Sequence, residues 1–436
     1  MHKNCNRRDV LKFFTAAVAG IVLTKTESSK SVPLTNKPVR VGFVGVGDRG
    51  SYNLDICLGM EGVEVVALCD IKDSYLYRAK RWVEESGQPT PKLYGESRTD
   101  FERMCDNEDL DLVVTATPWE WHTPVCVAAM RTGKNAASEQ PIAITVDECW
   151  ELVETSEKTG KFCTVLKEIG DLTITNMIRQ DLFGGILHCE KGYVHDLRLV
   201  KFDPEREPWR LKHSENRNGM LYPSMYQFTT YLELGHGDRM DYLVSMSSRS
   251  LSINEFAALN YGDDHPYATK KMALGDYVGT LIHTANGKVI TFHFDTSTPH
   301  PRHIFRMQGT KGCFMQDRAT GEHRIYIDGR SPEPHSWEAA DEYFKEYEHP
   351  YLKTYRPEPR KSIRGHGSGN TTPIMWHRMI KAIREGKPVD RDVYDSANFA
   401  VIPPISEISV ANNSKPIEIP DFTQGKWKTR QPVEIS

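Results

Sequence analysis

The chain has 436 residues, more than one ordinary domain holds, so two domains are the starting expectation. A hydrophobic content of 39%, a charged content of 26% and a formal net charge of -4 describe a soluble chain without the basic bias that nucleic acid or anionic lipid demands. No low-complexity tract or short repeat is present, which excludes solenoids and propellers.

The first 37 residues differ in kind from the rest. Asn6-Arg7-Arg8-Asp9-Val10-Leu11-Lys12 precedes an apolar run from Phe13 to Leu23, then a polar stretch from Thr24 to Lys37. Paired arginines ahead of an apolar core too short to span a bilayer are expected of a twin-arginine export signal. The expected address is therefore periplasmic or otherwise extracytoplasmic, with residues 1–37 as signal and linker and with no integral membrane span. Of the nine cysteines, Cys5 lies inside this segment, and the others form no CxxC pair or close cluster. Neither a metal site nor a disulfide framework is indicated.

Residues 38–170 read as a dinucleotide-binding domain. Val39 to Val44 is a buried-strand pattern that runs into Gly45-Val46-Gly47-Asp48-Arg49-Gly50, followed by a helical pattern from Ser51 to Met60 and a second strand, Val63 to Cys69. Glycines here let the backbone approach a pyrophosphate at a helix N-terminus, where unpaired N–H groups point outward. Asp70 closes the second strand, about 20 residues past the glycines, where a carboxylate accepts hydrogen bonds from ribose hydroxyls and repels a 2'-phosphate. NAD is thus expected over NADP. Leu110 to Thr117 is another strand, ended by Pro118, and Trp119-Glu120-Trp121-His122 forms the loop at its carboxyl end. Those rings either pack on the nicotinamide half of the cofactor or plug the sheet edge. A helix from Pro124 to Thr132, the strand end at Glu139-Gln140-Pro141, a helix from Val146 to Gly160 and a strand from Lys161 to Lys167 complete a doubly wound unit.

Residues 171–436 read as a substrate domain. From about Leu187 the period shortens to strand alternation. Asp276 to Thr284 and Lys288 to Phe294 flank Asn286-Gly287, a strong hairpin signal. Ile304 to Gly309 and Gly312 to Met315 suggest another pair. An open, mainly antiparallel sheet is expected, with closing helices at Thr371 to Glu385 and Val393 to Ala411, and with its open face available for association between copies. His195, Asp196 and His366 either face substrate or serve as core and loop hydrogen-bonding residues.

The order GxGxxG, strand-end Asp, T-P-x-x-x-H and Glu-x-Pro resembles the glucose-fructose oxidoreductase and inositol dehydrogenase family. More closely, Trp119-Glu120-Trp121-His122, Gly192-Tyr193-Val194-His195-Asp196-Leu197-Arg198, Trp209-Arg210, Asn216-Arg217-Asn218-Gly219, Tyr222-Pro223, Gly365-His366-Gly367, Val393-Tyr394-Asp395 and Ile419-Pro420-Asp421-Phe422 resemble glycoside hydrolase family 109, the NAD-dependent alpha-N-acetylgalactosaminidases. The resemblance implies glycoside hydrolysis with NAD held and not consumed. The third-carbon hydroxyl is transiently oxidised, the neighbouring proton and the glycosidic oxygen leave, water adds, and the ketone is reduced again. Paired catalytic carboxylates of the usual glycosidase kind are not required.

Carried over by position, the resemblance makes Asp48, Arg49, Asp70, Trp119, Glu120, Trp121, His122, Glu139 and Gln140 NAD contacts, alongside Gly45, Gly47 and Gly50 of the fingerprint. Arg210 and Tyr222 become substrate contacts, with Pro223, Ser224 and Met225 beside them, and His195 and Tyr222 are the candidate catalytic groups. Three positions depart from the family. Leu166 to Asp171 is shortened and lacks an asparagine near NAD and a substrate tyrosine. The family's Tyr-Pro-Thr-His reads Tyr222-Pro223-Ser224-Met225, and a thioether cannot transfer a proton. A further tyrosine is replaced near Pro301-Arg302-His303. His195, His303 and Glu168 are the candidate replacements. The expected function is an NAD-dependent glycosidase acting on a small-molecule glycoside or sugar, with altered sugar specificity. A net sugar or polyol oxidoreductase and a non-catalytic, NAD-retaining sugar binder are the other classes.

Overall fold

The structure, a computed structural model, describes residues 37–168, 170–302, 304–317, 319–355 and 371–435. The expected export segment up to residue 36, together with His303 and His366, lies outside the described residues. Among the described residues no helix is long and apolar enough to cross a membrane.

Six strands, β1 (Val39–Val44), β2 (Val63–Cys69), β3 (Lys92–Tyr94), β4 (Leu112–Thr115), β5 (Asn135–Ser138) and β6 (Cys163–Val165), form the first sheet in the order β3-β2-β1-β4-β5-β6. Every pairing in it is parallel. The continuous apolar character of β1 and β4 follows from helices covering both faces. Those helices are α1 (Asp48–Leu58), α2 (Asp73–Glu85), α3 (Asp100–Asn107), α4 (His122–Arg131) and α5 (Val146–Thr159). α5 starts on a capping box in which Thr145 and Glu148 satisfy each other's backbone N–H. The strand order reverses between β1 and β4, which opens a crevice at the carboxyl ends of the strands.

After α6 (Leu172–Arg179) the chain enters β7 (Ile186–Val194), α7 (Arg198–Phe202), α8 (Trp209–Asn216) and β8 (Met240–Ser247). Seven further strands follow: β9 (Val278–Thr284), β10 (Val289–Asp295), β11 (Ile304–Gly309), β12 (Gly312–Asp317), β13 (His323–Ile327), β14 (Glu338–Ala339) and β15 (Ile417–Glu418). The nine strands run β14-β13-β12-β11-β7-β10-β9-β8-β15, and all pairs are antiparallel except β7 with β10. The hairpin turn joining β9 to β10 uses Gly287 at φ +81°. Because Val194 lies opposite Asp295 in the parallel pair, the segments that leave β7 and β10 emerge side by side at one sheet edge. The stretch 393–411 is two helices, Val393–Ala400 and Ile402–Ala411, with Pro403 and Pro404 in the first turn of the second, where their missing N–H groups cost nothing.

One buried cation ties the end of the first sheet to the segment after Tyr222. Arg391, 2% exposed, donates through its guanidinium to the carbonyls of Lys167, of Glu168 at 3.1 Å and of Tyr226 at 3.0 Å. The first two follow β6, and the third lies four residues past Tyr222. Ser396 reinforces the join by accepting the β6 amide of Val165 at 3.1 Å. Removing the guanidinium would strand three carbonyls, each costing about 1–3 kcal/mol when buried without a partner. Arg391→Leu is therefore expected to lose about 3 kcal/mol or more of stability in urea unfolding; an unchanged midpoint would show that the clamp carries no energy.

Candidate active site

The glycine turn after β1 leaves no room for side chains. A Cβ on Gly50 would stand 1.8 Å from the Gly45 oxygen, and one on Gly45, at φ +79°, would meet the Ala116 carbonyl at 2.9 Å. No side chain caps α1, whose first-turn N–H groups open onto the crevice. The Asp70 carboxylate accepts from the Val46 amide at 2.8 Å and the Lys72 amide at 2.9 Å, which sets its direction at the edge of that turn. Burial raises its pKa above the ordinary carboxylate value, and these two amides and the cations Lys72 and Arg78 offset only part of that rise.

At the end of β5, Glu139 accepts from Asn53 Nδ2 at 2.8 Å. Asn53 is itself held by Trp376, which donates to its amide oxygen at 3.1 Å. The buried Gln140 presents an amide oxygen that meets no hydrogen-bond partner among the described residues. A glycine-only cradle, an uncapped helix N-terminus, an aimed carboxylate at the ribose position and an orphaned amide oxygen fit a dinucleotide.

The loop residues 119–122 separate. Trp119, 4% exposed, turns towards the second sheet's elements, its ring 4.8 Å from Trp209, 4.9 Å from His213 and 5.8 Å from Tyr222. Glu120 stays exposed, and Trp121 packs edge-on against Phe101 of α3. His122 is enclosed at 1% exposure, with Nδ1 2.7 Å from the Pro141 carbonyl and Nε2 2.8 Å from the Thr117 carbonyl. It pins the β4-end loop to the β5-end loop, and neither ring nitrogen is open to a ligand.

Arg210 sits in an aromatic enclosure, its guanidinium 4.9 Å from the Trp119 ring, 5.0 Å from Trp209 and 5.8 Å from Tyr222, with Glu207 as its ion-pair partner. Burial opposes its charge, but Tyr193, Glu207 and Tyr222 outweigh it, so its pKa is raised. The Tyr222 ring lies tilted against Tyr193, centroids 4.3 Å apart. Burial, Tyr193 and Glu139 together push its phenol far above the ordinary value against Arg49 and Arg210, so it is neutral. Arg49 of α1 is drawn into the same group: burial works against its charge, while Glu139, Tyr222, Tyr193 and Asp48 raise its pKa.

Two imidazoles flank Arg210 and both are neutral at pH 7. His195 is brought to about 4 by burial and by Arg302, Arg210 and His300, against Asp196. His213 is brought to about 4 by burial, Arg217 and Arg210. Pro223 is buried and Ser224 half-buried, while Met225 is fully enclosed in the hydrophobic core and reaches no surface. Glu168 stays near the end of β6, accepting from Thr372 Oγ1 at 2.6 Å; against the burial that would raise it, Lys167 and Thr372 hold its pKa at about 2.

The structure thus brings Arg49, Glu139, Trp119, Arg210, Tyr222 and His195 into one neighbourhood. Tyr193, Trp209, His213, Asn53 and Trp376 join it, although the sequence reading assigned them no part. Tyr193 and Trp209 stood inside quoted motifs, where their spacing could have singled them out. Asn53 and Trp376 are 323 residues apart, and no sequence signal connects them.

Residues 39–167 match the family described as the oxidoreductase family, NAD-binding Rossmann fold, and residues 169–429 match the glycosyl hydrolase 109 C-terminal domain. A protein of Solibacter usitatus named as a glycosyl hydrolase family 109 protein is 39% identical over 98% of this chain and 99% of its own length. An alpha-N-acetylgalactosaminidase of Tannerella forsythia is 35% identical over 98% of each chain. Among solved structures, a levoglucosan dehydrogenase in complex with NADH superposes with a TM-score of 0.66 over 88% of this chain and 100% of that one, at 20% identity, a likeness of fold. The chain belongs to glycosyl hydrolase family 109, and its first domain is an NAD-binding Rossmann domain.

The anchored Asp70 carboxylate faces two nearby cations, so the charge against a 2'-phosphate resides in that one group. In Asp70→Ser the preference for NAD over NADP is expected to fall about tenfold or more. Dissociation constants from titration of the purified protein check this, and an unchanged ratio would place ribose selection elsewhere.

Proposed function

We propose that this family 109 glycosidase cleaves a glycoside by transient oxidation of the sugar, elimination, water addition and re-reduction, and that its sugar differs from the one named for its relatives. The carrying observation is the pairing of an intact Trp119–Arg210–Tyr222 enclosure with a methionine, enclosed in the core, at position 225. Bound NAD supplies reversible hydride acceptance, which is why ordinary paired carboxylates are not needed. The boxed Arg210 guanidinium is a fixed, desolvated donor set for sugar oxygens, and desolvation strengthens such contacts. Tyr222, held neutral beside Arg49, donates its O–H to an oxygen that gains charge, and Arg49 stabilises that charge.

The proton transfer that a residue at 225 cannot perform falls to His195. Its imidazole is neutral across the physiological range, so a ring lone pair is free to take a proton, with the low basicity that burial imposes. Glu168 is ionised throughout that range and cannot donate one. The exposed face of the nine-stranded sheet carries Tyr242, Met246, Leu281 and Val289, and this apolar surface supports association of copies there. Sedimentation equilibrium at micromolar protein is expected to report an oligomer; a monomer alone would sink that part.

A screen of aryl glycosides in deuterated water tests the chemistry. Aryl release, deuterium at the carbon beside the anomeric centre and no net NADH are expected, with weak or no turnover of alpha-N-acetylgalactosaminides. Accumulation of a keto-sugar with NADH would make the protein a net oxidoreductase instead. Bound nucleotide without turnover of any sugar would leave a binder.

A further inference from the structure

Lys201 stands outside every role assigned above. It lies on α7 at 1% exposure, where an ammonium is among the costliest groups to enclose, and its Nζ donates to Ser297 Oγ at 3.0 Å. We infer that Lys201 is a positioning residue: by holding Ser297 it fixes the segment after β10 so that Arg302 and His300 face His195.

The segment is shaped for this. The Asp295 carboxylate accepts the amides of Ser297 at 2.9 Å and Thr298 at 3.0 Å, together with the Thr298 hydroxyl, curling the chain over the end of β10. Ser252 donates its hydroxyl to the Ser297 carbonyl at 2.6 Å. Alongside, the His195 amide donates to the Asp295 carbonyl at 2.9 Å and the Leu197 amide to the Thr296 carbonyl at 3.3 Å. The two segments leaving β7 and β10 are therefore zipped at their bases. Lys201, one turn into the helix that follows Leu197, reaches back to close the loop at Ser297. What this closure controls is the surroundings of His195: Arg302 and His300 come from the held segment, Arg210 from α8, and Asp196 opposes them.

Lys201 weakens the fold that it organises. It faces Arg210 from α8 and the carboxylates of Asp295, Asp276 and Asp196; burial and Arg210 bring it down to about 7. A lysine whose folded pKa lies below its unfolded value is destabilising, fully so below pH 7 and progressively less as pH rises from 7 towards 10.5. A methionine of similar length would be better tolerated there at pH 6, so packing does not account for the ammonium.

The inference rests on His195 as the proton-transfer group, but its readout is the titration of His195, which needs no substrate. A failed hydrolysis screen and a failed tether are thus separately visible. In full-length protein labelled in its imidazoles, the His195 resonance, identified by its loss in His195→Gln, is expected to stay neutral down to pH 5. In Lys201→Met it should reach half-protonation at or above pH 5. Ser297→Ala, which keeps the ammonium, should reproduce the shift, and the double variant should add nothing to it. The melting temperature of Lys201→Met at pH 6 should be no lower than that of the wild type. An unmoved His195 titration in a folded Lys201→Met, or a shift that Ser297→Ala does not share, would overturn the proposal.

Discussion

The structure depends on a guanidinium that water hardly reaches. Arg391 binds carbonyls on both sides of the boundary between the dinucleotide domain and the sheet domain, and an enclosed cation with several acceptors tolerates little relative motion of the pieces it joins. Its acceptors lie just past β6 and just past Tyr222, so the clamp fixes the end of one sheet against the segment that carries Tyr222. Trp119 can then lie between a Rossmann strand end and α8, because the distance between them is set elsewhere. The interdomain contact is aromatic and cationic at the crevice, and hydrogen-bonded backbone behind it.

That arrangement also explains the charge state of the site. Arg210 and Arg49 are enclosed in one region with the exposed Arg302 beside His195, and Glu207, Glu139, Asp48, Asp196 and neutral phenols offset them. Burial first, and these cations after it, disfavour any further positive charge. Both neighbouring imidazoles respond by staying neutral, and neutral imidazole can act as a base where imidazolium cannot. Tyr222 keeps its proton despite two adjacent guanidinium groups because burial, Tyr193 and Glu139 outweigh them.

The substitution pattern is coherent in this setting. Gln140 is a buried, uncharged amide and adds no cation to the region. Met225 has withdrawn into the core, which removes a proton carrier and leaves the Tyr222 segment anchored by packing. In the proposed mechanism the chemistry falls to groups on the edge where β7 and β10 emerge together, which among the described residues is formed by the one parallel pairing in an otherwise antiparallel sheet.

Much of this was legible in the chain itself. The glycine turn, Asp70, the hairpin at Asn286-Gly287 and the switch from helical crossover to strand alternation are local patterns, because backbone freedom, side-chain period and turn chemistry act over a few residues. Arg210, Tyr222 and Trp119 were reachable through their motifs. The separation of Trp119 from His122 was not, since neighbours in a short helical turn point in different directions and the sequence does not say which faces the crevice. Nor could it show Asn53 meeting Trp376, Arg391 closing the domains, or Lys201 reaching Ser297. By itself the sequence determined the family, the two kinds of sheet and the cofactor cradle. Tertiary structure alone decided which rings enclose Arg210 and which imidazoles stay neutral, because burial and electrostatics depend on groups far apart in the chain and close together in space.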